Sequence, residues 1–163
     1  MEYRNLSKEE FDAIVTGELA HQAIWFEGEL VNIILDYFVG RNKKRLGFER
    51  LILKREGIGF QDKIEIIRGM FQLFNNQVLA GRLDNVLKQV EVLGRFRNAF
   101  AHGTDIGDNE ADKLSLKVSL VSRSGKERVI QVTPESHAKC LVDLDLLLRE
   151  LGDIREKLFA KRK

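Results

Sequence analysis

Arg97-Asn98-Ala99-Phe100-Ala101-His102, followed at once by Gly103, closes the run whose reading decides the fold. From Leu83 to Ala101 there is no proline, and Leu83, Val86, Val90, Leu93, Phe100 and Ala101 recur at helical spacing. The run predicts an amphipathic helix, and Gly103 supplies its stop, since glycine suits the left-handed residue after a helix. Arg97 falls inside the apolar stripe, one turn beyond Leu93. A guanidinium on a core stripe needs a carboxylate, a bound phosphate or water in a cleft, because its charge is permanent and costly to bury alone. Glu27, Glu29 and Asp36 are its candidate partners. Asn98 and His102 are four apart and share a flank of the stripe with Glu91 and Arg95. Histidine is the side chain whose ordinary titration lies nearest neutrality, which acid–base chemistry requires.

Upstream, Ser7-Lys8-Glu9-Glu10 reads as a capping box opening a helix to about Val39. Its broad apolar set, from Phe11 and Val15 through Phe26 and Leu30 to Phe38, implies more than one packing neighbour. The basic run Arg41-Asn42-Lys43-Lys44-Arg45 follows Gly40. It reads as a solvated helix end, where cations suit the dipole, or as a phosphate-contacting patch. A shorter helix is predicted over Leu46–Arg55. Gly57-Ile58-Gly59 breaks it and is not a nucleotide loop, since no strand precedes it and no Gly-Lys-Ser/Thr follows. A third helix is expected over Gln61–Asn75, with a turn from Asn75 to Gly81.

Downstream, the segment 103–109 is rich in Gly, Asp and Asn and reads as a solvated loop, its spacing unlike a calcium loop. The period then changes. Leu114, Leu116, Val118 and Leu120 alternate with polar residues, Arg123–Lys126 reads as a turn, and Arg128–Thr133 as a return strand. A β-hairpin over about 114–133 is therefore predicted. Thr133-Pro134 opens a closing helix over about 134–159. Leu141, Leu144, Leu148, Leu151 and Leu158 nearly keep heptad register, suiting a bundle's closing helix or a dimer seam.

With 163 residues the chain suits one domain, 1–163. Its 32% charged residues carry a net charge of only +2, so any nucleic-acid surface must be local. The single Cys140 excludes an intramolecular disulfide and a Cys-based zinc site. No metal and no cofactor is expected. No apolar run reaches the eighteen or so residues of a membrane span, and the polar start, Met1–Glu10, is unlike a signal peptide. A cytoplasmic location and no membrane partner are expected. His21 and His137 lie in helices without catalytic partners at useful spacing and read as structural.

The run Arg-Asn-x-x-Ala-His-Gly at the end of an amphipathic helix resembles the Arg-x4-6-His signature of the HEPN domain family, in which a polar residue, often Asn, follows the Arg. The resemblance covers the motif and the helical layout of about the first hundred residues. It implies a mainly α fold, an up-and-down HEPN-like helical bundle, here with the hairpin inserted before the last helix. It also implies a homodimer that brings two motifs together. Active members are metal-independent endoribonucleases, and many relatives are toxins or defence effectors held by an antitoxin or regulatory protein. Carried onto this chain, the resemblance implies His102 as general acid or base, Arg97 neutralising phosphoryl charge, and Asn98 orienting the imidazole or a phosphate. Arg95, Arg41, Lys43, Lys44 and Arg45 are candidate RNA contacts. The family also includes non-catalytic modules that bind a nucleotide, RNA or protein. That alternative predicts Arg97 in a buried ion pair and His102 tied to backbone.

Overall fold

The chain was described from a computed structural model covering residues 3, 5–106, 114–121 and 125–160. It is mainly helical with a small antiparallel sheet. Helix α1 spans Lys8–Phe38, α2 Arg45–Phe48, α3 Phe60–Gly69, α4 Gln77–His102 and α5 Pro134–Phe159. Strands β1 Thr104–Asp105, β2 Leu116–Val121 and β3 Glu127–Val132 lie between α4 and α5.

Helix starts follow the local chemistry of the chain. The Ser7 hydroxyl accepts from Glu10 N–H at 3.1 Å and the Glu10 carboxylate accepts from Ser7 N–H at 2.8 Å, the expected capping box. At α5 the Thr133 hydroxyl accepts from Ser136 N–H at 3.3 Å, and the Ser136 hydroxyl accepts from Thr133 N–H at 2.8 Å. Helix α4 starts earlier than the apolar pattern suggests. Asn76 caps it by accepting from Leu79 N–H at 3.1 Å, so the predicted turn through Gly81 is already helix.

Two helices differ from expectation. The predicted helix over Leu46–Arg55 is a single α turn, α2, that widens into a π turn over Glu49–Leu53. Its widening leaves only Leu53 buried in that turn. The predicted helix over Gln61–Asn75 ends at Gly69 and passes into a 3-10 turn at Phe71–Leu73, which seats Phe74 against Tyr37 and Phe159. The predicted loop after His102 also differs. Thr104 and Asp105 form β1, paired antiparallel with Ser119 and Val118, which turns the predicted hairpin into a three-stranded sheet, β1-β2-β3. The rest of that loop, 107–109, and the turn residues Arg123 and Ser124 lie outside the described residues. The hairpin register runs from Leu116 opposite Val132 to Val121 opposite Glu127.

The chain forms two compact units whose boundaries fall inside α1, α4 and α5. The first comprises residues 1–23 and 95–145. Phe11, Val15, Leu19, Ala99, Leu116, Val118 and Val132 are buried in it. His137 is buried there too, its Nδ1 bonded to the Tyr3 hydroxyl at 2.9 Å, with Phe11 edge-on to both rings. Burial pushes the His137 imidazole below its ordinary value and the Tyr3 phenol above its own.

The second unit comprises residues 24–94 and 146–163. Phe26, Leu30, Ile34, Ile64, Ile67, Leu83, Val90 and Leu151 are fully buried there. Charged groups bind its helices together. Arg68 of α3 bonds Glu91 of α4 through both terminal nitrogens at 2.6 and 3.1 Å. Lys63, 1% exposed, donates to Glu27 Oε1 and to the Ile58 carbonyl, each at 2.7 Å.

Candidate functional site

The last two turns of α4 carry the motif, and their burial reverses the first expectation about Arg97. Leu83, Val86, Leu87, Val90 and Leu93 are buried, but the next buried residue is Ala99, not Arg97. At 3.6 residues per turn Ala99 sits well round the cylinder from the Leu93 stripe. The reason is the sheet. A side-chain carbon built on Gly103, one turn beyond Ala99, would collide with Val118 of β2 and with the Ala99 carbonyl. The sheet thus covers the Ala99–Gly103 side of the helix end, and the side that continues the stripe stays open. Gly103 is required for this close approach. Its φ lies outside the left-handed region, so the expected left-handed stop is not how the helix ends.

Arg97 is therefore exposed and is not aimed into a core. Its expected carboxylate partners belong to the second unit and have other cations. Glu27 holds Lys63 at 2.7 Å, Glu29 holds Arg155 at 3.3 Å, and Asp36 holds Arg45 at 2.7 Å. Arg97 instead donates from Nη1 to Asn98 Oδ1 at 2.8 Å. Asn98 thus steadies the guanidinium, and its carbonyl oxygen is turned to Arg97 and not to the imidazole. Arg97 makes no ion pair among the described residues, and its guanidinium is a planar fork suited to phosphate oxygens.

Arg95, Asn98, Ala101 and His102 are exposed as well. Successive residues turn about 100°, so Arg97, Ala101, Asn98, His102 and Arg95 follow one another round one continuous face. Ala101, between Arg97 and Asn98 round the helix, leaves the face low there. Among the described residues His102 makes no ion pair, and it lies in the last helical turn. The arrangement presents a cation, an amide and an imidazole at the open end of the helix, with Arg95 in line with His102 two turns earlier.

A cavity of about 170 Å³ lies on the other side of the helix end, between Phe100, Gly103, Leu116 and Val118 and the first turn of α1. Lys8 and Asp105 pair across its rim at 3.3 Å. His102 is turned about 200° from Phe100, so the cavity lies off the imidazole's side. No signal in the sequence links Lys8 to Asp105, because the contact depends on β1.

The other candidate residues are in the second unit. Arg41, Lys43 and Lys44 are exposed. Arg45 is partly buried and committed, donating to Asp36 at 2.7 Å and to the Gly40 carbonyl at 3.3 Å. That geometry makes Arg45 a brace for the turn after α1. Among the described residues no group of three or more metal-ligating side chains converges, and no helix is long and apolar enough to cross a membrane. The chain matches no protein-family model, no curated protein and no solved structure.

Proposed function

We propose that the chain is a HEPN-type, metal-independent endoribonuclease that acts as a homodimer, its helices read as a HEPN-like bundle. One observation carries the reading. Arg97, Asn98 and His102 are all exposed at the end of α4, with Arg97 steadied by Asn98 and neither Arg97 nor His102 consumed by a structural ion pair among the described residues. The non-catalytic alternative predicts Arg97 in a buried ion pair, and the exposure of Arg97 supports the catalytic reading over it.

The chemistry follows from the side chains. His102 in its neutral form takes the proton of a ribose 2′-hydroxyl. The oxygen attacks the adjacent phosphorus, forming a 2′,3′-cyclic phosphate and breaking the bond to the 5′ oxygen. That oxygen leaves with a proton from a second, protonated imidazole. One chain offers a single His102, so the second comes from another copy, which makes the two-fold axis part of the mechanism. Arg97 neutralises the charge that grows on the phosphoryl oxygens. Arg95 extends the cationic face along the strand. Such an activity suits a toxin or defence effector, with an antitoxin as partner.

The test is cleavage of mixed-sequence RNA in EDTA by wild type, His102→Ala and Arg97→Ala purified in parallel. The expected result is EDTA-resistant cleavage by the wild type and a loss of a hundredfold or more in each variant, on the order expected for a proton-transfer group or a charge-stabilising donor. Equal cleavage by all three proteins, or none by any, overturns the proposal. The second outcome favours a binding module.

A further inference from the structure

We infer that the segment from Arg41 to Arg55 is a docking surface for an anionic phospholipid bilayer, one that lies on the membrane without crossing it. The surface belongs to the second unit and is independent of the motif on α4.

Two observations converge on it. The first is charge. Residues 41–55 hold Arg41, Lys43, Lys44, Arg45, Arg50, Lys54 and Arg55 against the single carboxylate of Glu49, in a chain whose net charge is only +2. Arg45 is spent on Asp36 and Lys54 on Glu49. The other five cations are exposed and form no ion pair among the described residues. The second is apolar exposure. Leu46 is 55% exposed, Leu51 71% and Ile52 45%, all within α2 and the π turn that follows it. Only Leu53 of that turn is buried, which anchors the turn from below. Phe38, 56% exposed, ends α1 just before the basic run.

The combination selects the partner. Cations with aliphatic side chains between them match a surface that is anionic outside and hydrocarbon beneath. An RNA would use the cations, but it offers flat bases for stacking, and leucine and isoleucine have no flat face to stack on. On RNA a base could stack on Phe38, but Leu46, Leu51 and Ile52 would gain little. A bilayer accepts protruding side chains without a preformed groove, and burying them removes apolar area from water. Among the described residues no helix is long and apolar enough to cross a membrane, and surface docking needs none.

The test is co-sedimentation of the full chain with vesicles of phosphatidylcholine alone and of phosphatidylcholine mixed with phosphatidylglycerol. Two variants accompany the wild type. One carries Leu51→Gln and Ile52→Gln, the other Arg41→Gln, Lys43→Gln and Lys44→Gln. Far-UV circular dichroism checks their folding, and if the apolar pair unfolds the chain, Leu51→Gln alone replaces it.

The wild type is expected to pellet with the mixed vesicles, to stay soluble with neutral ones, and to be released by salt. The cation variant should lose on the order of a hundredfold in partitioning, and the apolar variant about tenfold or more. The inference fails if the wild type ignores the mixed vesicles. It also fails if the apolar variant binds like wild type, which would mean simple ionic adsorption. RNA binding that vanishes in the cation variant, with vesicles ignored, would reassign the patch to RNA.

Discussion

Removing the carboxylate of Glu27 should destabilise the protein more than removing the lysine it holds. Lys63 is 1% exposed, and its ammonium donates to Glu27 and to the Ile58 carbonyl, both at 2.7 Å. The Glu27 side chain is 42% exposed, so the two ends of the pair differ in their access to water. In Glu27→Ala the ammonium stays buried with one neutral acceptor. Breaking a buried pair from one side costs about 3 kcal/mol or more, and the open side of Glu27 places this case at the lower end. In Lys63→Met the charge itself is gone. The carboxylate turns to water, and the Ile58 carbonyl loses one bond, a loss of about 1 kcal/mol. The double variant should resemble Lys63→Met, giving a coupling of about 3 kcal/mol between the sites.

Urea unfolding at neutral pH, followed by circular dichroism, measures all four proteins. For a chain of this size the Glu27→Ala loss corresponds to a Tm lowered by roughly 6–12 °C. A Glu27→Ala loss below about 1 kcal/mol would place the pair among ordinary surface ion pairs and refute the reasoning. So would a Lys63→Met loss larger than that of Glu27→Ala.

Other predictions concern the first unit. Gly103→Ala puts a methyl group into Val118 and the Ala99 carbonyl, and thermal unfolding should show a loss of about 1–3 kcal/mol, the usual range for overpacking. Ser7→Ala removes the hydroxyl that accepts from Glu10 N–H and should cost about 1 kcal/mol in urea unfolding. Burial lowers the His137 pKa in the folded state, so the unfolded chain binds the proton more readily. Stability from this group is complete above the ordinary value of 6.5 and is lost as pH falls below it, through the depressed folded value. The Tm difference between neutral and mildly acidic buffer should shrink in His137→Phe, and an unchanged difference would clear His137 of the effect.

Much of the helical layout is legible in the sequence alone. Ser7 with Glu10 marks a helix start, and so does Thr133 before Pro134, through cap bonds to Glu10 and Ser136 that lie within four residues and need no distant partner. The hairpin was legible for a similar reason, because alternation with period two is local. The ends of α3 and the widening at Glu49–Leu53 were not, since their apolar residues continue past the helix into a 3-10 turn or out into solvent.

At the candidate site, the positions of Arg97 and Ala101 on the stripe and of Asn98 and His102 on its flank were determined by their spacing on a helix, which neighbours cannot alter. Whether that side met a core or water was decided only by tertiary structure. The short strand β1 brings β2 against Ala99 and Gly103, and the sheet covers one side of the helix end while the side bearing Arg97 stays open. The partner of Arg97 was beyond the sequence for the same reason. Several acidic residues qualified by type, and the packed chain assigned Glu27, Glu29 and Asp36 to Lys63, Arg155 and Arg45. Periodicity is a property of the backbone and is written locally. Which face is buried, and which charge meets which, depends on segments far apart in the chain and is settled only when they pack.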